Sequence, residues 1–291
     1  MDDQAKNLRK MLQMASDPKM STKVIAVVSG KGGVGKSNFS INFAIELSKS
    51  GKKVLLFDLD IGMANVDILM GISSKYTILD MIERELSIWD IVEEGPEGLS
   101  FVAGGTGFSS LFQLNPRKLA RFLQQLELIN GQYDYIIFDM GAGATKDSLH
   151  FILSANEIIV VTTPEPTSVT DAYSMVKYIQ LKDQEIPMKV LVNRAETLIE
   201  GKKTFSNLKL VTEQFLKKEI TLLGIIPNDQ IVFKAGKVQK PFILYAPSCK
   251  PSQAIKEIVS GFIGNGKERN DETTPPFSMF MRKIKQYFTE K

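Results

Sequence analysis

The chain has 291 residues, 43% of them hydrophobic, and a net charge of +3. This composition excludes wholesale disorder and allows one large domain with a sizeable core. The one cysteine, Cys249, excludes an internal disulfide and a metal cluster held by four cysteines of one chain. The small basic excess does not by itself indicate a nucleic-acid partner. No apolar run approaches the roughly 18 residues of a membrane-spanning helix and no signal peptide opens the chain, so we expect a cytoplasmic protein.

Short apolar runs alternate with helix-compatible segments through the middle of the chain. The runs are Val24–Ser29, Lys53–Phe57, Tyr135–Phe138, Ile158–Thr162, Lys189–Val192 and Leu222–Ile226. The helical segments are Asn38–Lys49, Pro116–Ile129, Thr167–Leu181, Phe205–Lys217 and Gln253–Ile263. Strands with no polar face are covered by helices on both sides. The alternation therefore predicts an α/β fold in three layers, with a doubly wound, mostly parallel sheet.

The two ends of the chain differ from this middle part. Residues 1–20 contain a predicted helix, Asp3–Ala15, and a proline-containing connector. Residues 264–276 are glycine, proline and charged residues with almost no apolar side chain, which is typical of a flexible linker. The sequence thus predicts an N-terminal segment over 1–20, a main domain over 21–263, that linker, and a terminal helix over 277–291.

The strongest chemical signal is GKGGVGKS at Gly30–Ser37, which lies between a predicted strand and a predicted helix. In this context a glycine-rich loop turns its backbone N–H groups around phosphates. We expect Lys36 to reach the β- and γ-phosphates and the Ser37 hydroxyl to bind Mg²⁺. The predicted phosphate-binding residues are Gly30, Lys31, Gly32, Gly33, Val34, Gly35, Lys36, Ser37 and Asn38.

Carboxylates follow two predicted strands at the edge where open α/β sheets bind their ligands. Asp58 and Asp60 alternate along an extended segment and therefore lie on the same side. Asp139 ends another apolar run and is followed by Gly141. These residues predict a metal shell from Ser37, Asp139 and one carboxylate of the Asp58 segment, while its other carboxylate positions a water.

Lys31 makes the phosphate loop more specific. GKGGVGK[ST] resembles the deviant Walker A signature of the MinD/ParA (SIMIBI) nucleotidases, and Asp58–Asp67 resembles their first switch, DxDxGxxNxD. The resemblance covers about residues 23–263. It implies an ATPase that binds ATP or ADP with Mg²⁺ and forms a homodimer with ATP. Within it, Asp58 and Asp139 serve the metal, Asp60 orients the attacking water, and Lys31 crosses to the phosphates of the other subunit.

The same resemblance implies which residues contact the base. Asn193 follows the run Lys189–Val192, and its amide presents the donor and acceptor that the adenine edge requires. The loop with Pro227 and Asp229 is implied to close over the base, and Glu165 to reach the nucleotide of the partner subunit. No N/TKxD sequence typical of guanine recognition is present, so the sequence favours ATP over GTP.

An apolar stripe with helical spacing occupies the C-terminal segment. Four basic residues and one acidic residue give residues 277–291 a net charge of +3. Such a helix suits an anionic membrane surface, and two copies in an ATP-bound dimer would add avidity. We therefore expect peripheral association with the inner face of the cell membrane, and the polar linker argues against a packed tail. Docking on the chain's own core is the alternative. The predicted membrane-binding residues are Phe277, Phe280, Met281, Ile284 and Phe288.

The N-terminal sequence resembles the DQAxxLR segment of the flagellar branch of this family, whose members are called FlhG, YlxH or FleN. In that branch the segment stimulates the GTPase FlhF, and Gln4 matches the activating glutamine. The resemblance implies a role in flagellar number and placement, with FlhF and flagellar switch-complex proteins as partners. The residues implied in partner activation are Asp3, Gln4, Leu8 and Arg9.

Other members of the family remain as alternatives. The division-site ATPase MinD shares the switches and the tail, but usually begins close to its first strand. A ParA-type partitioning ATPase binds DNA; the charge of +3 and the aromatic tail count against it, so no nucleic-acid partner is expected. An iron–sulfur carrier needs paired cysteines, and a bacterial tyrosine kinase needs a tyrosine-rich tail. An adaptor that binds ATP without hydrolysing it also fits the sequence.

Overall fold

A computed structural model describes residues 21–60, 65–105, 116–143, 146–265 and 275–289. Its framework is a single sheet of eight strands. The strands are β1 (Lys23–Ser29), β2 (Val54–Leu59), β3 (Glu93–Glu94), β4 (Ser100–Val102), β5 (Tyr135–Ala142), β6 (Glu157–Thr162), β7 (Met188–Ala195) and β8 (Thr221–Pro227). The predicted N-terminal helix, with Asp3, Gln4, Leu8 and Arg9, lies outside the described residues.

The strand order is β3-β4-β2-β5-β1-β6-β7-β8. The short edge strand β3 pairs antiparallel with β4, and the other described pairs are parallel. From β1 the chain first builds the half of the sheet that contains β2 to β5, and then the half that contains β6 to β8. The carboxyl end of β1 therefore lies at the point where the strand order reverses, which is the usual ligand position in open α/β sheets.

Helices cover both faces of the sheet, which confirms the predicted α/β fold. One face carries α1, α2 and α9 to α11, and the other carries α3 to α8 and α12. The helices are α1 (Lys36–Lys49), α2 (Val66–Met70), α3 (Ile78–Glu83), α4 (Ile88–Ile91), α5 (Pro116–Glu127), α6 (Lys146–Ser154), α7 (Pro166–Gln180), α8 (Leu198–Leu216), α9 (Gln230–Lys237), α10 (Phe242–Tyr245), α11 (Lys250–Asn265) and α12 (Pro276–Thr289). None of the helices described is both long and apolar enough to cross a bilayer.

The two cores follow from the alternation of side chains along buried strands. In β1, Val24 and Ala26 lie in the core under α5, α6 and α12, whereas Ile25 and Val27 lie in the core under α1 and α11. All four side chains are fully buried. A strand that is covered twice has no polar face, which is why β1 reads as a continuous apolar run.

The terminal helix α12 is packed on the sheet, so the expectation of an unpacked tail was wrong. Phe277, Phe280, Met281 and Ile284 are buried in the core between β1, α5 and α6, and Phe288 is half-buried. The apolar stripe was read correctly as a helix face, but the chain's own sheet offers a surface that buries it. A flexible polar linker allows a tail either to dock on such a surface or to detach from it.

Candidate nucleotide site

The phosphate loop connects β1 to α1 in a conformation that requires glycine at several positions. Gly33 and Gly35 have φ of 79° and 89°, in the left-handed region that side chains disfavour. A Cβ at Gly30 would lie 2.1 Å from the backbone oxygen of Asp171, so the loop also packs tightly against α7. Because Lys36 begins α1, the positive end of that helix lies at the loop, where an anion is stabilised.

Lys36 and Asp139 form a buried ion pair under this loop. The Lys36 ammonium Nζ lies 2.8 Å from Oδ1 of Asp139, and the two side chains are 6% and 0% exposed. Ser37 lies beside them, since Lys36 Nζ is 3.5 Å from its hydroxyl oxygen. The structure thus brings together three residues that the sequence predicted for the phosphates and the metal.

Asp58 lies next to Asp139 across neighbouring strands, since the two are register partners in β2 and β5. Its carboxylate accepts hydrogen bonds from the backbone N–H groups of Asp60, Asn65 and Val66, at 3.1, 2.8 and 3.0 Å. Asp58 therefore fixes the start of the first switch and of α2. Burial and the neighbouring Asp139 carboxylate raise the pKa of Asp58 to about 7, although these three donors oppose the rise.

The oxygen atoms of Asp139 and Ser37 fit Mg²⁺ as ligands. Oδ2 of Asp139 is buried and has no hydrogen-bond partner among the described residues. When both carboxylates are ionised, the Lys36 charge leaves one negative charge uncompensated, which favours a cation. Asp139 and the Ser37 hydroxyl are hard oxygen ligands of the kind that Mg²⁺ prefers. No cluster of three or more potential metal-binding side chains occurs in the described part of the chain, as is usual where Mg²⁺ uses one or two carboxylates together with phosphates.

Replacing Asp58 with asparagine should flatten the pH dependence of stability in the nucleotide-free chain. With a pKa of about 7 in the native state and 3.8 in the unfolded state, Asp58 keeps the native chain more protonated between these values. The free energy of unfolding therefore falls as the pH rises through this window, by up to about 4 kcal/mol. Urea unfolding at several pH values between these limits measures the slope. Equal slopes for wild type and Asp58→Asn would contradict the prediction.

The two switches meet beside the phosphate loop. A Cβ at Gly141 would lie 3.2 Å from Oδ1 of Asp60, so these residues are in close contact. The N–H of Gly143 donates to the carbonyl of Ser29 at 3.0 Å, which ties the segment after β5 to the start of the loop. Asp60 is therefore positioned next to the second switch. Residues 61–64 and 144–145 of the switches lie outside the described residues.

Lys31 contacts residues of its own chain. Its Nζ lies 3.2 Å from Oε2 of Glu165 and 3.2 Å from Oγ1 of Thr167, at the start of α7. The Lys31 and Glu165 side chains are 42% and 62% exposed. An exposed ion pair contributes about 1 kcal/mol or less, so this contact is easily exchanged for another.

The residues predicted at the base lie at the carboxyl ends of β7 and β8. Asn193 donates from Nδ2 to the carbonyl of Val34 at 2.8 Å, so it touches the phosphate loop directly. Pro227 is the register partner of Ala195, which places its loop beside Asn193. Asp229 accepts the N–H of Ile231 at 2.9 Å and caps α9, a structural role that the sequence analysis did not anticipate.

Sequence analysis missed Ser40, whose hydroxyl lies 2.8 Å from Oδ1 of Asp139. Ser40 follows Lys36 by four residues, so the two side chains share one face of α1. This spacing was visible in the sequence. It could be recognised as a site position only once Asp139, about a hundred residues later, was known to lie opposite.

The fold and the site define a P-loop nucleotide-binding protein, and comparisons with known proteins agree. Residues 20–263 match the family model ParA, described as NUBPL iron-transfer P-loop NTPase. The antiactivator FleN of Pseudomonas aeruginosa is 37% identical over 81% of this chain and 84% of its own. The flagellum site-determining protein YlxH of Helicobacter pylori is 33% identical over 89% of each chain.

A solved structure has the same fold. The septum site-determining protein MinD of Pyrococcus horikoshii, complexed with Mg-ADP, superposes with a TM-score of 0.69 and is 25% identical. The alignment covers 84% of this chain and 97% of that one. The chain belongs to the ParA/MinD family of P-loop NTPases, as the signature around Lys31 predicted.

Proposed function

We propose that this chain is a MinD-like ATPase that regulates flagellar number and placement. The observation that carries the catalytic part is the buried cluster of Lys36, Asp58 and Asp139 directly beneath a phosphate loop that matches the deviant Walker A signature in full. The flagellar part is supported by the two relatives named above, whose descriptions are antiactivator and flagellum site-determining protein.

In the proposed reaction the chain's own groups bind and orient the nucleotide. The loop N–H groups and Lys36 hold the phosphates, and Asn193 and the loop of Pro227 hold adenine. Ser37 and Asp139 would hold Mg²⁺, with Asp58 beside them; when bound, the ion neutralises charge on the phosphates. Asp60 orients the attacking water. Hydrolysis yields ADP and phosphate.

The activity is tested by measuring phosphate release by the full chain from ATP and from GTP with Mg²⁺. ATP is the expected substrate. Lys36→Met is the inactive control, because it removes the buried ammonium and keeps an apolar stem. Turnover that survives in Lys36→Met, or that is absent from the wild type at every concentration tested, would contradict an ATPase that uses this loop.

We further propose that ATP joins two chains into a homodimer and that this dimer binds the cytoplasmic face of the membrane through α12. In the single chain, polar contacts hold α12 in place together with its buried apolar face. Lys283 pairs with Asp183 at 2.8 Å, Lys285 pairs with Glu127, and the Asn156 amide donates to the carbonyl of Pro276 at 2.9 Å. The docked tail thus has two of its basic side chains neutralised, and release would free both for anionic lipid.

The pairing with Lys283 affects the pKa of Asp183. Burial pushes the pKa of Asp183 upward, but the hydrogen bond and charge of Lys283, with two backbone N–H groups, outweigh it and lower the pKa below its ordinary value.

The docked tail is also next to the second switch. Helix α6 begins at Lys146, shortly after β5, and its His150 ring packs against Tyr287 and Phe288 of α12. A movement of that switch would shift α6 and so alter the contacts between α6 and α12. This coupling supports nucleotide-dependent release of the tail.

The proposed N-terminal activity is tested with the GTPase FlhF and the full chain. Wild type should accelerate GTP hydrolysis by FlhF, and Gln4→Ala should lose most of that acceleration while keeping its own ATP hydrolysis. Gln13→Ala is the matched control, a glutamine in the same segment but outside DQAxxLR. Equal stimulation by all three proteins would contradict a role for Gln4.

The division-site role of MinD is the second candidate function, and the same site and tail would serve it. FleN is 37% identical to this chain, whereas the MinD of Helicobacter pylori is 30% identical, which favours the flagellar role. The iron transfer in the description of the family model is less compatible with this chain, because Cys249 is its one cysteine.

A further inference from the structure

The Asp139 carboxylate is held asymmetrically. Its Oδ1 accepts from Lys36 Nζ at 2.8 Å and lies 2.8 Å from the Ser40 hydroxyl, whereas its Oδ2 has no partner among the described residues. Asp139 and Ser40 are both fully buried. One oxygen is therefore anchored from two sides, and the other is left for a ligand.

The Ser40 hydroxyl has two acceptors within reach but one proton. It lies 3.1 Å from the carbonyl of Lys36, the acceptor that a helical serine normally uses, and 2.8 Å from Oδ1 of Asp139. A carboxylate is the stronger acceptor, since charge-assisted hydrogen bonds are shorter and about twice as strong as neutral ones. The proton therefore goes to Asp139.

Nucleotide binding changes the importance of this bond. In the proposed function Lys36 holds the phosphates, so its ammonium turns away from Asp139 when a nucleotide enters. Ser40 is then the described donor that remains on Oδ1. Because Ser40 is part of α1, whose backbone is fixed by helical hydrogen bonds, it can keep the carboxylate plane from rotating.

We propose that Ser40 is a positioning residue for Mg²⁺ binding, because it anchors Oδ1 of Asp139 and so keeps Oδ2 directed to the metal when Lys36 engages the phosphates. The inference rests on the proposed nucleotide function and adds a residue to it. Ser40 contacts neither substrate nor metal in this role; it acts through Asp139.

The test is a Mg²⁺ titration of nucleotide binding by the full chain, with a fluorescent, slowly hydrolysed ATP analogue as the probe. Ser40→Ala should raise the Mg²⁺ concentration at half-saturation about 10-fold, the lower end of the 10–100-fold loss seen when the hydrogen-bond partner of a metal ligand is removed. Binding of the analogue in EDTA should stay at the wild-type level. Ser40→Thr, which keeps the hydroxyl, should restore the wild-type titration.

Ser154→Ala is the matched control. Ser154 is also fully buried in a helix and donates to the carbonyl four residues before it, that of His150, at 2.6 Å. Its loss removes the same kind of hydroxyl without touching Asp139, so its Mg²⁺ titration should match wild type. If Ser40→Ala does not fold, Ser40→Cys, with similar volume and a weak donor, should show a smaller shift in the same direction.

The outcomes separate the inference from the function beneath it. An unchanged Mg²⁺ midpoint in Ser40→Ala overturns the positioning role and leaves the nucleotide function intact. A loss of binding that is equal with Mg²⁺ and in EDTA, or a shift shared by Ser154→Ala, means a structural role and also overturns it. A wild type that binds no analogue with Mg²⁺ overturns both.

Discussion

Replacing Lys31 with alanine should lower ATP turnover by about 10³-fold or more, while single chains still bind the nucleotide. A cation that enters a phosphoryl-transfer site from another subunit contributes about 10³–10⁵ in rate. In the single chain the Lys31 side chain is 42% exposed and contacts Glu165 and Thr167, whereas Lys36 is a buried cation under the loop. Its loss should therefore spare the chain's own phosphate site. Turnover with Mg²⁺ and ATP, together with binding of a labelled analogue, measures the two effects separately.

Mixing two inactive variants decides whether Lys31 acts on the other subunit. Lys31→Ala chains keep Asp60, and Asp60→Ala chains keep Lys31, so a mixed dimer assembles one complete site. Random pairing should restore roughly a quarter of the wild-type turnover in an equal mixture. Lys49→Ala, an exposed lysine at the far end of α1, is the matched control and should keep full turnover. No recovery in the mixture would mean that Lys31 acts within its own chain or not at all.

The central elements could be predicted from the sequence because their causes are local. β1, its glycine-rich loop and α1 follow from an apolar run, the backbone freedom of glycine and helical spacing, all within residues 23–49. The strands β3 and β4 have two and three residues, too few to show any period. Helix α9 was missed for a related reason, since the cue at its start was the capping side chain of Asp229, which had been interpreted as a contact to the base.

The sequence predicted residues of the candidate site but not the hydrogen bonds between them. Asp58 and Asp139 were expected at one edge of the sheet, and the register of β2 and β5 places them there. Lys36 joins them through its ion pair with Asp139. The sequence could not indicate that Ser40 anchors Asp139, since hydrogen bonds between distant segments depend on the packed fold. The same limit explains the tail: helical spacing establishes an apolar face over Phe277–Phe288, but not which surface covers it.

Replacing Phe280 with alanine should release α12 from the domain. Phe280 is fully buried and its ring lies 5.6 Å from that of Phe138, the residue before Asp139. Truncating a buried phenylalanine costs about 3–5 kcal/mol. If docking of α12 contributes less than this, the helix undocks, and the loss in unfolding free energy equals the docking energy alone. Urea unfolding of Phe280→Ala should then match that of a chain ending at residue 275, and protease should cleave the variant between residues 264 and 276 faster than wild type.

Phe280 lies on the face of α12 that docks on the domain and is also predicted to bind the membrane. A second variant is therefore needed to separate docking from membrane binding. Asp183→Asn weakens the pair with Lys283 and leaves the apolar face of α12 unchanged. It should therefore increase recovery on anionic liposomes without ATP, while Phe280→Ala should lose stability and liposome binding together. Phe233→Ala, at an aromatic residue of α9 that is 67% exposed, should alter neither. A tail that is always free would give a different pattern, since Phe280→Ala would then weaken liposome binding and leave urea unfolding unchanged.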